Sequence, residues 1–127
     1  MAAAGSLALY NRHRLHEEAL RISEASWSAE GADNLRHYAL TFVGPEFSFW
    51  VLRPSPLGID GKWSGCGMTR LCGADCMDEY GVKELVGWIN EINRWGLSSH
   101  GPSCERDIKT ILRGKGVRTS DIRPTGI

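Results

Sequence analysis

The chain has 127 residues and equal numbers of basic and acidic side chains, 15 of each, so its formal net charge is zero. That length fits one domain with a real core, and the charge balance drives no association with nucleic acid or a membrane surface. No apolar run is long enough to span a bilayer, and the N-terminal stretch MAAAGSLALYNRHR lacks the apolar core of a signal peptide, which places the chain in the cytoplasm as an expectation. Four Cys in that compartment read as reduced thiols rather than as a disulfide framework.

Residues 6–30 read as helical. Leu9, His13, His16 and Leu20 make a stripe at helical spacing, and Glu17 and Glu18 beside Arg14 and Arg21 read as a solvent face. The less regular segment 23–31 reads as a second short helix ending at Gly31, with Trp27 as its anchor. Strand signals follow. Residues 35–43 place Tyr38, Leu40 and Phe42 on one face, and a turn at Gly44, Pro45 and Glu46 leads into a second strand over 47–53. Phe47, Phe49 and Val51 face one way and Trp50 and Leu52 the other, so this strand belongs in the centre, covered on both sides. Residues 54–61 read as a loop and 62–72 as the third strand of an antiparallel meander, with Gly65 and Gly67 on one face.

The most periodic segment is 82–97, VKELVGWINEINRWGL. Val82, Leu85, Val86, Trp88, Ile89, Ile92 and Trp95 fall within half of a helical wheel, as suits a helix laid flat on a sheet. Asp78 is the expected N-cap, and Gly96 the expected left-handed residue that ends the helix. Gly87 marks a position where another backbone or a ligand could approach. Asn93 is the one polar residue inside the apolar arc. Gly101 and Pro102 open a last helix whose stripe is Cys104, Ile108, Ile111 and Leu112, stopped by Gly114 and Gly116. The expectation is a single α+β domain over 1–127: an N-terminal helix, a three-stranded antiparallel meander and two C-terminal helices packed on the sheet, with 1–5 and 117–127 as mobile tails.

Few constellations suggest chemistry. Cys66, Cys72, Cys76, Cys104 and His100 lack the spacing of a zinc knuckle, and six strand residues would hold Cys66 and Cys72 about 20 Å apart. His13 and His16 lie one helical turn apart without an evident third ligand. Neither metal nor cofactor is expected. His100 and Cys104 are a candidate base and nucleophile at a helix start, set against a plain core thiol. Glu84, Glu91, Glu105 and Asp107 read as solvent-face carboxylates. The excess is aromatic. Trp50, Trp63, Met68 and Trp88, with Asn93, are candidate walls of an apolar pocket, and Asn93, His37 and Tyr38 are its candidate polar or catalytic groups, with Thr41, Ser48 and Thr69 as further inward-facing candidates.

The segments WINEINRWGL and SCERDIKTIL are similar to stretches of uncharacterised fungal proteins. That resemblance carries no activity, but it implies a fungal setting in which small proteins are sometimes encoded with natural-product pathways, some as cofactor-free cyclases or isomerases. Two readings result. One is a small-molecule protein, a cyclase or isomerase that holds an apolar substrate by shape. The other is a non-enzymatic interaction or homodimerisation module whose exposed aromatic residues form an interface.

Overall fold

The computed structural model describes residues 2–28, 31, 35–56 and 62–118. The protein is α+β. Helix α1 spans Ala2–Ile22, strands β1, β2 and β3 span His37–Val43, Glu46–Pro54 and Cys66–Asp75, and helices α2 and α3 span Glu79–Trp95 and Gly101–Gly114. The sheet order is β1-β2-β3, antiparallel throughout. The last two helices are one rod rather than two separate elements, because a π-helical turn, Gly96–His100, carries the chain from α2 into α3. Gly96 has φ −58°, so the expected left-handed stop does not form. Helix α1 begins at Ala2, which makes residues 2–5, expected as a tail, helical. Residues 23–28 form a turn and irregular chain instead of the second helix expected there. Residues 57–61 of the expected loop and most of the expected C-terminal tail lie outside the described residues, as does part of the segment 23–31.

The meander follows from its turn and its alternation. Val43 pairs with Glu46 across a two-residue connection in which Gly44, at φ 57°, takes the left-handed position that a tight hairpin demands. From there β1 pairs β2 without interruption through His37 and Leu52. Between β2 and β3 the register shifts at Phe49 and Trp50, so Leu71 is an extra residue that bulges β3.

Strand β2 is central and two-sided, as its apolar residues on both faces require. Phe47, Phe49 and Val51 are buried on one face, where Trp88 of α2 stacks on Phe49 at 5.9 Å between ring centroids. Leu52 is buried on the other, in a cluster with Leu9 of α1 and Leu35. Trp27 and Trp63 pack on that cluster, and both flank the buried ring of His13, at 5.1 and 5.4 Å. Helix α1 thus covers one face of the sheet, α2 covers part of the other, and α3 runs along α1.

Asp78 caps α2 as expected: its carboxylate accepts a hydrogen bond from the Gly81 N–H at 2.6 Å. The tight approach in this helix is at Gly81, not at Gly87. A Cβ at Gly81 would lie 1.7 Å from the Asp75 carbonyl oxygen, whereas one at Gly87 would meet nothing within 4 Å. We therefore predict opposite outcomes in thermal denaturation. Gly81→Ala loses on the order of 3 kcal/mol, because backbone must move. Gly87→Ala is neutral or gains about 1 kcal/mol from helix propensity.

Candidate functional site

Two concavities on the molecule bear on function, one apolar and one polar. The apolar one is an open groove between β1 and α2. It is lined by Tyr38, Ala39, Leu40, Phe49, Ile89, Ile92 and Asn93 and has a volume of about 330 Å³. It exists because α2 sits off-centre. Leu85, Trp88, Ile92 and Trp95 turn toward the sheet, while Val82, Val86, Ile89 and Asn93 form a flank toward β1 that stays exposed. Helix α2 starts where β3 ends beside Phe47, opposite Phe42 on β1, so the exposed flank runs along β1 from Phe42 toward Tyr38. Exposure along this face is high for apolar side chains: Phe42 54%, Val82 43%, Val86 50% and Ile89 45%.

The residues expected to build a single pocket are not brought together. Asn93 and Tyr38 do reach the same groove. Trp88 lies under α2 on Phe49. Trp50 points to the opposite face, where its indole N–H donates to Thr41 Oγ1 at 3.0 Å. Met68 shares that opposite face by strand alternation, as do Ser48 and Arg70, whose Nε donates to the Ser48 hydroxyl at 3.2 Å. Thr69, opposite Val51, lies on the α2 face of β3 and is exposed. Trp63 packs against Tyr10 and His13 beneath α1. His37 is near Gly5 of α1, on the face away from the groove. Asn93 is exposed, so the cost of a buried amide does not arise.

The five Trp serve four separate settings instead of one wall. Trp95 shows how: it meets Tyr38 edge-on at 5.0 Å, stacks on His100 at 4.8 Å and lies under the Arg36 guanidinium at 5.3 Å. The π-helical turn makes the His100 contact possible, because its wider winding, with the Gly101 N–H reaching the Gly96 carbonyl, aligns residues five apart.

His100 and Cys104 come together, with Sγ 3.7 Å from Nε2. Their environment does not activate them. Burial raises the Cys104 thiol above its ordinary value, nearby Arg12 opposing and Asp107 reinforcing that shift. Burial also lowers His100, helped by the charges of Arg12 and His37. The resting pair is thiol and neutral imidazole, not thiolate and imidazolium. The helix-start argument fails for a structural reason: α3 continues α2, so its first N–H groups already have partners and present no free positive end. Among the described residues, no three His, Cys, Asp or Glu gather as a metal would require.

The polar concavity lies where α1 meets α3, and sequence reasoning missed it. Asp107, read as a solvent-face carboxylate, is only 5% exposed. Arg12 Nη1 donates to its Oδ2 at 2.6 Å, and His16 Nδ1 lies 3.0 and 3.1 Å from its two oxygens. Arg12 Nη2 also donates to the Ser103 hydroxyl at 2.5 Å. A carboxylate only accepts, so Nδ1 carries the proton and Nε2 faces away from Asp107. Burial pushes the Asp107 carboxyl up, but hydrogen bonds from His16 and Arg12, with their charges, outweigh it and hold it below the ordinary carboxylate value. Beside this cluster a cavity of about 140 Å³ is lined by Arg12, His16, Ser28, Gly31, Leu35, Ser103 and Arg106. The signal available in the sequence was the alignment of Asp107 with Cys104 and Ile111 on the buried side of α3, at offsets of three and four.

No family model matches the sequence, and no curated protein or solved structure matches it.

Three outcomes are expected of these groups. Asp107→Ala leaves the Arg12 charge buried without its partner and costs about 3 kcal/mol in urea unfolding. Because the folded carboxyl is held low, the stability it supplies is complete above its unfolded value near pH ~4 and drains away as pH falls through the folded value; Asp107→Asn therefore flattens the acid limb of the stability curve. Separately, Cys104 reacts with iodoacetamide at pH 7 more slowly than a free model thiol, as mass mapping of the alkylated peptides would show.

Proposed function

We propose that this protein is a non-enzymatic interaction module that pairs with a second copy of itself through β1 and the adjoining apolar flank of α2. The observation that carries the reading is the exposed apolar face formed by Phe42, Val82, Val86 and Ile89 beside an edge strand. At roughly 150–200 Å² per fully exposed side chain of this kind, these four leave on the order of 300 Å² of apolar surface in water, over a third of what one partner contributes to a standard interface of about 800 Å² a side. A patch of that size is of the order of the largest that a monomer exposes, and such patches are often functional.

Three features favour a copy of the same chain as the occupant. The β1 edge is straight, paired to β2 through seven consecutive positions, and has no strand beyond it among the described residues. Edge β3, by contrast, is blunted by its bulge and by Arg70, a usual defence against pairing. Two β1 edges meeting antiparallel about a two-fold axis would put both α2 flanks on the same side of a continuous sheet, burying the same residues twice. The charges beside the flank are already paired within the helix, Lys83 with Glu79 and Arg94 with Glu91, and the net charge is zero, so two copies meet without repulsion.

The second reading is a small apolar ligand held in the groove, with a cyclase or isomerase activity as its sharpest form. Asn93 and Tyr38 at the groove wall favour it, as groups able to orient one carbonyl. Catalysis by shape needs an enclosing, water-excluding site. The groove is open along its length, so the assembly reading comes first.

Sedimentation equilibrium on the full chain separates the two. The expected result is a dimer at low micromolar concentration, on the order of −8 kcal/mol. Ile89→Lys raises the dissociation constant by a hundredfold or more with unchanged far-ultraviolet circular dichroism. A wild-type chain that stays monomeric to ~100 µM, and that carries a stoichiometric apolar metabolite in native mass spectrometry, would replace the first reading with the second.

A further inference from the structure

We propose that the cavity between α1 and α3 is a binding site for a small oxyanion, the carboxylate or phosphate group of a metabolite-sized ligand. It lies apart from the β1–α2 face and does not depend on that reading.

The charge arithmetic points to an anion. Two guanidinium groups, Arg12 and Arg106, line the cavity, while one carboxylate, Asp107, lies beside it. The other carboxylates of the adjoining helices are engaged elsewhere: Glu17 with Arg14, Glu18 with Arg21 and Glu105 with Lys109. Among the described residues a positive charge is left over at a partly enclosed polar site, which an anion would balance. Asp107 does not fill the cavity. It orients the two groups that do the binding, holding Arg12 by Nη1 and His16 by Nδ1. Arg12 keeps further N–H donors beyond those given to Asp107 and Ser103.

The shape agrees. Gly31 closes one side of the site with its Cα. A Cβ there would sit 3.1 Å from His16 Nε2 and 3.2 Å from the Ser28 hydroxyl, so the missing side chain is what leaves the ring nitrogen and the hydroxyl room to meet a guest. The cavity volume of about 140 Å³ equals four or five waters at about 30 Å³ each, the scale of a carboxylate or phosphate with its first attached atoms. A ring whose Nδ1–H is fixed by a buried carboxylate presents Nε2 in one orientation; in the imidazolium form that nitrogen is also an N–H donor, and it is this form that meets an anion.

The test is nitrogen-15 NMR of the His16 ring in the full chain, titrated at constant ionic strength with inorganic phosphate and, separately, with sodium acetate. The Nε2 resonance is expected to move saturably at millimolar ligand, while Nδ1 keeps the signature of its bond to Asp107. Arg106→Gln, at an exposed helix position, weakens binding about tenfold. Gly31→Ala blocks the site and abolishes the shift without disturbing Nδ1. Tighter phosphate binding assigns the site to a phosphate group, and tighter acetate binding to a carboxylate. If Nε2 is unmoved by both anions, or moves equally in wild type and Arg106→Gln, the cluster is a purely structural ion pair and the proposal is wrong. The Arg106→Gln comparison decides even if Gly31→Ala fails to fold.

Discussion

The buried Asp107 carboxylate is the interaction on which the arrangement of this molecule depends. It ties α3 to α1 through Arg12 and His16, residues more than ninety positions away in the chain. Burying a charge is costly unless it is fully paired, and here two cationic or hydrogen-bonding partners converge on one group. The pairing therefore demands one angle and one depth of contact between the two helices. Because α3 continues α2 through the π-helical turn, fixing α3 on α1 also fixes where α2 lies on the sheet.

That linkage explains the exposed apolar face. Helix α2 has more apolar surface than the position left to it can bury. Its Leu85, Trp88, Ile92 and Trp95 side reaches the sheet, and Val82, Val86 and Ile89 are left over beside β1. A helix free to roll toward β1 would cover them, but the rod is held at its far end and by the Asp78 and Gly81 contacts at its start. The strip along β1 is thus a consequence of how the rod is anchored at both ends, and a second copy would complete what a single chain leaves open.

Much of the fold was legible in the sequence, and the reasons are local. Alternation in residues 47–52 marked β2 as central and two-sided, and the Gly44–Pro45 pair marked the hairpin. Asp78 was recognisable as a cap because its chemistry acts within one helical turn. The errors share a different cause. Gly96 reads as a helix stop, yet the chain passes through it into a widened turn across which Trp95 and His100 stack, a choice with no pattern in the sequence. Asp107 reads as a surface residue because its partners are on α1. The aromatic excess points to one pocket with Trp50, Trp63 and Trp88 in its wall, whereas Trp63 flanks His13 with Trp27, Trp50 bonds Thr41 on the α1 side and Trp88 covers Phe49. Of the candidate site, Asn93 and Tyr38 were foreseen at one wall; the oxyanion cavity was not, since no two of its lining groups from different helices are near in sequence.

Amide hydrogen exchange along β1 as a function of protein concentration tests pairing through this edge most directly. If two copies join through this edge, the β1 amides that do not pair with β2 exchange more slowly as concentration rises through the dimer range, while those of the β3 edge do not change. Exchange at β1 that is independent of concentration would rule out pairing through this edge, and would mean that the apolar strip beside β1 serves some occupant other than a second copy of the chain.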